Sequence, residues 1–243
     1  MPRNEWSFKP FVLGHRGARV SEPENTISAF QKAMQEGADG VELDVFLSKD
    51  GMPVVIHDDT VDRTTDGKGS VKDLTVQELG LLGVPSLTRA LSAMPAGAIV
   101  NVELKEGGYF SKEILVDKAV QALEAEKSRL HFIVSSFDSE LLVILRKKYP
   151  AYLVGWLLAP NEDNWPASLD KMDLIKPDAI HILSTWANPL LIALAKKAKI
   201  KVVLWTVNDP VEVQNWLEQG VDGVITDDPA ACCDKASRVL RKA

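Results

Sequence analysis

The sequence predicts an α/β fold, a closed parallel barrel in which eight strands alternate with helices. Two observations lead to this prediction. Short apolar runs recur along the 243 residues, and amphipathic segments separate them. Eight strand–helix pairs are what a (β/α)8 barrel requires. The length agrees, because α/β barrels of about 250 residues commonly form one domain. We therefore expect a single domain over residues 1–243.

The strands are predicted from apolar runs and the helices from apolar residues at helical spacing. The predicted strands are Phe11–His15, Gly40–Leu47, Ile99–Lys105, Phe132–Ser135, Tyr152–Leu157, Ala179–Leu183, Lys201–Thr206 and Gly223–Thr226. The predicted helices lie near Thr26–Glu36, Leu87–Met94, Ser111–Glu126, Ser139–Lys148, Leu169–Ile175, Pro189–Lys199, Val211–Gln219 and Ala230–Leu240.

Several helix starts follow from capping chemistry. Asn25 is predicted to cap the first helix, since its side chain can accept a hydrogen bond from a free N–H of the first turn. Asp138 or Ser139 can cap another helix in the same way. Pro210 after Asp209 suits a first turn, where the missing N–H of proline does no harm.

One segment interrupts the alternation. Val54–His57 is predicted to return as a short strand, and Asp58–Gly83 is a polar, glycine-rich insertion after the second strand. Within it, Leu74–Leu79 is predicted to be a short helix, because Thr75 and Glu78 have the spacing of a capping box. A long segment at the active end of a barrel usually carries function or covers the site.

Composition excludes several classes of protein. The formal net charge is −6 with basic residues dispersed, so nothing indicates a nucleic-acid partner. There is no secretory leader pattern and no apolar run near the roughly 18 residues that span a bilayer. Adjacent Cys232 and Cys233 fit neither a disulfide framework nor a metal site, and we interpret them as free thiols near the last helix. We expect a cytoplasmic protein; its oligomeric state is not predicted.

Charged residues stand where apolar strands end. Side chains of a strand alternate between two faces, so Glu42 and Asp44 share one face, as do Asn101, Glu103 and Lys105. An antiparallel sheet with one solvated side would also place acids on one face. Here, however, the acids occur only at the ends of apolar runs, which is typical of the mouth of a closed barrel.

These residue types predict a metal-assisted reaction at a phosphate ester. Carboxylate oxygens suit hard cations, so Glu42, Asp44 and Glu103 are a candidate site for Mg²⁺ or Ca²⁺. Arg16 and Lys105 can bind phosphate oxygens through charge-assisted hydrogen bonds.

Histidine supplies the acid–base chemistry. The chain has four histidines, and His15 and His57 both stand at strand ends close in sequence to acids, which indicates a proton-transfer pair. His131 is interpreted as structural, at the opposite end of the barrel, and His181 lies near a strand exit. Trp205 has two interpretations, as a core residue or as a surface that packs against a small polyol.

With these residues in place, the chain resembles the glycerophosphodiester phosphodiesterase family over almost its whole length, and is most similar to the short bacterial cytoplasmic members. The resemblance rests on motifs in a common order: His15-Arg16-Gly17, Pro23-Glu24-Asn25-Thr26, Glu42-x-Asp44, Lys49-Asp50-Gly51, His57-Asp58, Glu103-x-Lys105 and Trp205-Thr206-Val207-Asn208.

The resemblance implies a TIM barrel with a small insertion after the second strand. It implies hydrolysis of a small-molecule substrate, a glycerophosphodiester such as glycerophosphocholine or glycerophosphoethanolamine, to sn-glycerol 3-phosphate and an alcohol. It carries metal binding onto the three acids, acid–base catalysis onto the two strand-end histidines, phosphate contacts onto Arg16 and Lys105, and a glycerol contact onto Trp205.

Three other functions fit the sequence less well. A lysophospholipid substrate calls for an apolar surface beside the mouth, whereas the insertion is mainly polar. A barrel lyase or isomerase for a sugar phosphate has no evident use for the paired histidines. A catalytically silent protein is expected to lack one of the acids or histidines, and this chain has them all. The sequence leaves open which histidine is the acid and whether a cyclic phosphate forms.

Overall fold

Eight parallel strands form a closed barrel, which confirms the predicted fold class. The structure, a computed structural model, describes residues 6–158 and 171–240. The strands are β1 Phe11–His15, β2 Gly40–Leu47, β3 Pro53–Val55, β4 Ile99–Leu104, β5 His131–Ser136, β6 Leu153–Leu158, β7 Ala179–Leu183, β8 Lys201–Trp205 and β9 Gly223–Thr226. The barrel closes because β1 pairs in parallel with both β2 and β9. The short β3 lies outside this ring and pairs antiparallel with the end of β2.

Helices follow the strands as predicted, with ends that shift by a few residues. They are α1 Ile27–Gln35, α2 Val76–Leu81, α3 Leu87–Ser92, α4 Lys112–Glu124, α5 Ser139–Lys148, α6 Met172–Ile175, α7 Pro189–Lys197, α8 Pro210–Glu218 and α9 Pro229–Leu240. Two residues of the predicted helix Leu169–Ile175 lie outside the described residues. Asp138 caps α5 and Asp209 caps α8 with Pro210 in its first turn, as expected.

The predicted cap of the first helix is wrong by one residue. Thr26, not Asn25, is the N-cap of α1, and its hydroxyl accepts the N–H of Ala29. Asn25 has a left-handed backbone (φ 57°), whereas an N-cap needs an extended one. Its side chain instead donates to a carboxylate oxygen of Asp44 at 2.8 Å.

The same type of hydrogen bond, from a backbone N–H to an aspartate side chain, occurs three times at the end of the barrel where the strands begin. Three aspartates each precede a strand directly and accept a hydrogen bond from a backbone N–H of the preceding barrel strand. The pairs are Val12 to Asp39 at 2.8 Å, Val154 to Asp178 at 2.8 Å and Val202 to Asp222 at 3.0 Å. Each bond fixes the register of two neighbouring strands, and therefore the height at which their other ends carry side chains.

The inside of the barrel changes from apolar to polar along its axis. Toward the N-terminal ends of the strands it is filled by Phe11, Leu13, Ile99, Ile133, Leu153, Ala179, Val203 and Ile225. By the alternation along a strand, Ile99 and Glu103 share the inner face of β4. The same face carries buried Asn101 between them, which donates to Ser135 at 3.0 Å, so on β4 one polar layer separates the acids from the apolar floor.

The insertion has a small core of its own. Apolar residues from its loops and α2 pack against the end of β2 and β3: Phe46, Val54, Ile56, Val61, Val71, Leu79 and Val84. Thr75 and Glu78 form the predicted capping box of α2. The predicted strand Val54–His57 is shorter, Pro53–Val55. His57 and Asp58 therefore lie on the loop at the mouth.

Two further predictions concern the rest of the chain. Cys232 and Cys233 are free thiols, both buried on α9, as expected. Among the helices of the described residues, none is both long and apolar enough to cross a bilayer.

Candidate active site

Three carboxylates meet inside the mouth of the barrel. Glu42 and Asp44 come from the inner face of β2, and Glu103 is the direct partner of Asp44 across the β2–β4 pairing. All three are buried, and one oxygen from each lies within 4.8 Å of the others. The grouping predicted from strand alternation is therefore present.

Two basic side chains, those of Lys105 and Arg16, contact these acids. The Lys105 amine is 3.0 Å from Asp44 Oδ1 and also contacts a carboxylate oxygen of Glu103. The Arg16 guanidinium is 3.3 Å from Asp44 Oδ2, and the Arg16 backbone N–H donates to Glu42 at 3.0 Å. Asp44 is thus the centre of the cluster, because it is the acid that both basic side chains contact.

Electrostatics divides the acids into two kinds. Burial raises the pKa of Glu42 and of Glu103, and the negative charge of Asp44 raises both further. Burial also acts on Asp44, but Lys105 and Arg16 outweigh it and hold its pKa below the ordinary value. The cluster therefore gains from a further positive charge near Glu42 and Glu103.

This cluster fits a hard divalent cation. Its donors are carboxylate oxygens, the ligands that Mg²⁺ and Ca²⁺ prefer. Within the described ranges, Glu42 Oε1 is buried and has no hydrogen-bond donor, so it remains available as a ligand. Three acids close together are costly to bury without additional positive charge.

His57 is held by a carboxylate that the insertion anchors. Its Nδ1 lies 2.7 Å from Asp58, and Arg63 binds the same carboxylate at 2.6 and 3.0 Å. Arg63 also donates to Glu24 at 2.7 Å, which in turn accepts from Arg16 at 2.8 Å. Burial lowers the pKa of His57 against the opposing pull of nearby carboxylates, which favours its neutral form at neutral pH.

His15 has a separate carboxylate partner. Its Nδ1 lies 2.6 Å from Asp227, the residue that follows β9. The Asn208 amide donates to the other oxygen of Asp227 at 2.9 Å. Arg19 adds a weaker contact to Asp227 at 3.4 Å. In both histidines Nδ1 is therefore engaged, and Nε2 is the nitrogen left to exchange a proton.

The remaining candidates occupy different places. Trp205 is partly buried at the end of β8, packs against the apolar floor, and meets Phe137 edge to face at 5.6 Å. His131 begins β5 at the opposite end, exposed, as predicted. His181 lies inside the barrel, one inward-facing position beyond Ala179 of the apolar floor; it is fully buried, and burial lowers its pKa to about 3.

The residues that hold the two histidines were not among the predicted site residues. Asp227 could have been found, because it follows the predicted strand Gly223–Thr226 just as other site residues follow theirs. Asn208 and Glu24 both belong to motifs that carry the family resemblance, although the motifs give neither residue a role. Arg63 has no local signal, since its pairing with Glu24 joins the insertion to the loop after β1.

Comparison with known proteins agrees with the motifs. The Glycerophosphoryl diester phosphodiesterase family matches residues 15–231. A glycerophosphodiester phosphodiesterase of Caldanaerobacter subterraneus subsp. tengcongensis is 36% identical over 237 residues, covering 91% of this chain and 96% of the relative.

Two solved structures share the fold over nearly all of the chain. An Oleispira antarctica phosphodiesterase in complex with the product sn-glycerol-3-phosphate has a TM-score of 0.84 at 28% identity, covering 96% of this chain and 98% of that one. A glycerophosphodiester phosphodiesterase from Thermotoga maritima has a TM-score of 0.73 at 32% identity, covering 92% of this chain and 96% of that one. On these matches, the chain is an enzyme of the glycerophosphodiester phosphodiesterase family.

Proposed function

We propose that this enzyme hydrolyses glycerophosphodiesters such as glycerophosphocholine and glycerophosphoethanolamine to sn-glycerol 3-phosphate and an alcohol, with one divalent cation, Mg²⁺ or Ca²⁺. The observation that carries the proposal is the buried acid cluster at the same end of the barrel as two carboxylate-bound histidines. The product bound by the Oleispira phosphodiesterase supports the glycerol phosphate part. We also propose that barrel and insertion act as one domain.

Glu42, Asp44 and Glu103 are the proposed ligands of the cation. When bound there, a divalent cation supplies charge neutralisation for the phosphodiester and for its more highly charged transition state. Selection between Mg²⁺ and Ca²⁺ depends on how many oxygens the site can offer and how rigidly.

Arg16 and Lys105 are the proposed phosphate contacts. The acids around them outweigh burial and raise the pKa of each, so both remain charged throughout the neutral range. Each has N–H donors beyond those used on the acids, and these can bind phosphate oxygens. Trp205, at the end of β8, is the proposed surface for the glycerol carbons.

His15 and His57 are the proposed acid–base pair. With Nδ1 bound to a carboxylate, each ring presents Nε2, which can take or give one proton. One histidine removes the proton of the nucleophile, either water or the neighbouring glycerol hydroxyl, and the other protonates the departing alkoxide. The hydroxyl route passes through a cyclic phosphate, which product analysis at early times distinguishes from direct hydrolysis.

The test is release of glycerol 3-phosphate from the two named substrates, first in EDTA and then with Mg²⁺ or Ca²⁺ restored. We expect activity that EDTA abolishes and one cation restores. His15→Ala and His57→Ala are each expected to lower kcat about 10²- to 10⁴-fold, the usual contribution of general acid–base catalysis.

His131→Ala is the matched control, because it removes an exposed histidine at the far end of the barrel. It is expected to keep wild-type turnover. Activity that survives EDTA would rule out the cation, and near wild-type turnover in both site variants would rule out the histidine pair.

A further inference from the structure

Asp227 and Asn208 form a rigid pair behind His15. The two residues exchange hydrogen bonds: the Asn208 amide N–H donates to Asp227 Oδ2 at 2.9 Å, and the Asp227 backbone N–H donates to Asn208 Oδ1 at 2.8 Å. The hydroxyl of Thr226 also donates to Asn208 Oδ1 at 3.2 Å. The carboxylate of Asp227 is therefore fixed at both ends, between Asn208 and His15.

The backbone N–H of Asp227 settles the orientation of the Asn208 amide. A backbone N–H can only donate, so the Asn208 atom facing it must be the oxygen. The amide nitrogen of Asn208 then faces Asp227 Oδ2, and that atom must be an acceptor. Burial opposes ionisation of Asp227, but hydrogen bonds from His15 and Asn208 outweigh it and lower the pKa of this carboxyl group.

An ionised Asp227 fixes the tautomer of His15. A carboxylate only accepts hydrogen bonds, so the ring nitrogen 2.6 Å from Asp227 Oδ1 must carry the proton. The neutral ring then has its free lone pair on Nε2. Arg19 is a donor that would favour the other tautomer, but it lies 3.5 Å from the same ring nitrogen, whereas the carboxylate lies at 2.6 Å, so the contact to Asp227 decides.

We propose that Asp227, held by Asn208, is a positioning residue for His15: it keeps the proton on Nδ1 and leaves Nε2 free to exchange a proton with the substrate. This inference rests on the proposed acid–base role of His15. Its chemistry is the one by which a buried aspartate orients the histidine of a Ser-His-Asp triad.

Asp227→Asn is the sharpest test, because Asn208 makes the new amide orient in one direction. The amide nitrogen of Asn208 attracts the new oxygen, so the new NH₂ group faces His15 Nδ1. Nδ1 must then accept, and the proton moves to Nε2. We expect kcat to fall about 10²- to 10⁴-fold, the contribution of general acid–base catalysis, with little change in KM; the upper limit is the loss seen when a triad aspartate becomes asparagine.

The tautomer is read directly by ¹⁵N NMR of the imidazole rings in protein supplied with the cation that supports activity. Four histidines give few signals, and His15→Ala assigns the one that matters. Wild type is expected to show His15 protonated on Nδ1, and Asp227→Asn on Nε2. Asp58→Asn, which alters the partner of His57 instead, is expected to leave the His15 signal unchanged.

A tautomer switch together with the fall in kcat supports the positioning role. An unchanged His15 tautomer, or a switch with wild-type kcat, overturns it. His15→Ala keeps the two proposals distinguishable. Near wild-type turnover in that variant rejects the acid–base role itself, whereas the NMR signal still reports the hydrogen bond to Asp227.

Discussion

Each histidine of the site is bound through Nδ1 to a different carboxylate, in a different electrostatic setting. Asp58 also binds a charged guanidinium, and hydrogen bonds from Arg63 outweigh its modest burial and lower its pKa. Asp227 binds mainly an uncharged amide, that of Asn208. A carboxylate already paired with a cation stabilises an adjacent imidazolium less. The two rings are therefore unequal, as two groups with opposite proton-transfer roles need to be.

His181 shows how far residue type alone can mislead. Its side chain is wholly buried inside the barrel, and neither ring nitrogen has a hydrogen-bond partner among the residues that the structure describes. The ring fits because Gly155 leaves space for it: a Cβ there would lie 2.5 Å from His181 Nε2. The sequence shows a histidine near a strand exit, but not the depth at which its ring lies.

Burial of His181 should make stability fall in mild acid. Its pKa is about 3 in the folded protein against an ordinary 6.5. Between these values the unfolded chain binds a proton at this residue and the folded chain does not. Stability should therefore decrease as pH falls through that window, by on the order of 1 kcal/mol per pH unit from this group. Urea unfolding from pH 7.5 to 5 measures it.

His181→Leu is the variant that isolates this contribution. Relative to wild type, we expect it to gain about 1–2 kcal/mol between pH 7.5 and 5, because it has no proton to bind when unfolded. His131→Asn removes a histidine from the exposed end of β5 and serves as the control. Parallel pH curves for wild type and His181→Leu would contradict the prediction.

At the scale of elements, the insertion is a working part of the site. Arg63 joins it to the loop after β1 through Glu24, and to His57 through Asp58. This one side chain ties the insertion to both the phosphate-contacting and the proton-transferring sides of the mouth. The segment predicted to carry function or to cover the site thus holds Asp58, the partner of His57.

Arg63→Ala is expected to loosen the insertion and slow the reaction without unfolding the barrel. The side chain is 46% exposed, so little global stability should depend on it. Loss of a partner that orients a functional side chain typically costs roughly 10- to 100-fold in activity. Amide hydrogen exchange should become faster within residues 58–83, and kcat should fall roughly 10- to 100-fold.

Lys68→Ala is the matched control for Arg63→Ala. Lys68 lies in the same insertion, is 77% exposed, and pairs only loosely with Asp62 at 3.6 Å. It should leave exchange and turnover unchanged. An equal loss in both variants would show that any loss of positive charge disturbs the insertion, and no loss in either would show that Arg63 is dispensable; both outcomes reject the specific role of Arg63.

The barrel and its acid cluster were predictable because both follow from local rules. The alternation of a strand puts Glu42 and Asp44 on one face, and parallel pairing brings Glu103 beside them. Asn25 was predicted to cap the first helix; it lies directly before the true N-cap, and its side-chain amide donates to Asp44 instead. Arg63 was beyond reach, since its partners lie in other segments and no periodicity links them.

At the scale of the whole molecule, the barrel concentrates negative charge above an apolar floor. Glu42 and Asp44 come from β2, which Asp39 ties to β1 at the opposite end of the barrel, and Glu103 comes from the neighbouring strand β4. Folding must therefore bring these three carboxylates together in the buried interior of the barrel. Lys105 and Arg16 offset part of that cost, and a divalent cation should offset more.

Cation binding should then raise the melting temperature. A ligand that binds only the folded state at about 100 times its Kd stabilises it by about 2.7 kcal/mol. For a chain of this size that corresponds to about 5–10 °C. Thermal unfolding is measured first in EDTA and then with millimolar Mg²⁺ or Ca²⁺, and it reports the shift without any substrate.

Asp44→Asn should abolish the shift in melting temperature, whereas Asp66→Asn, which changes an exposed acid of the insertion, should keep it. No shift in wild type, or the same shift in Asp44→Asn, would place any bound cation elsewhere than the buried acids.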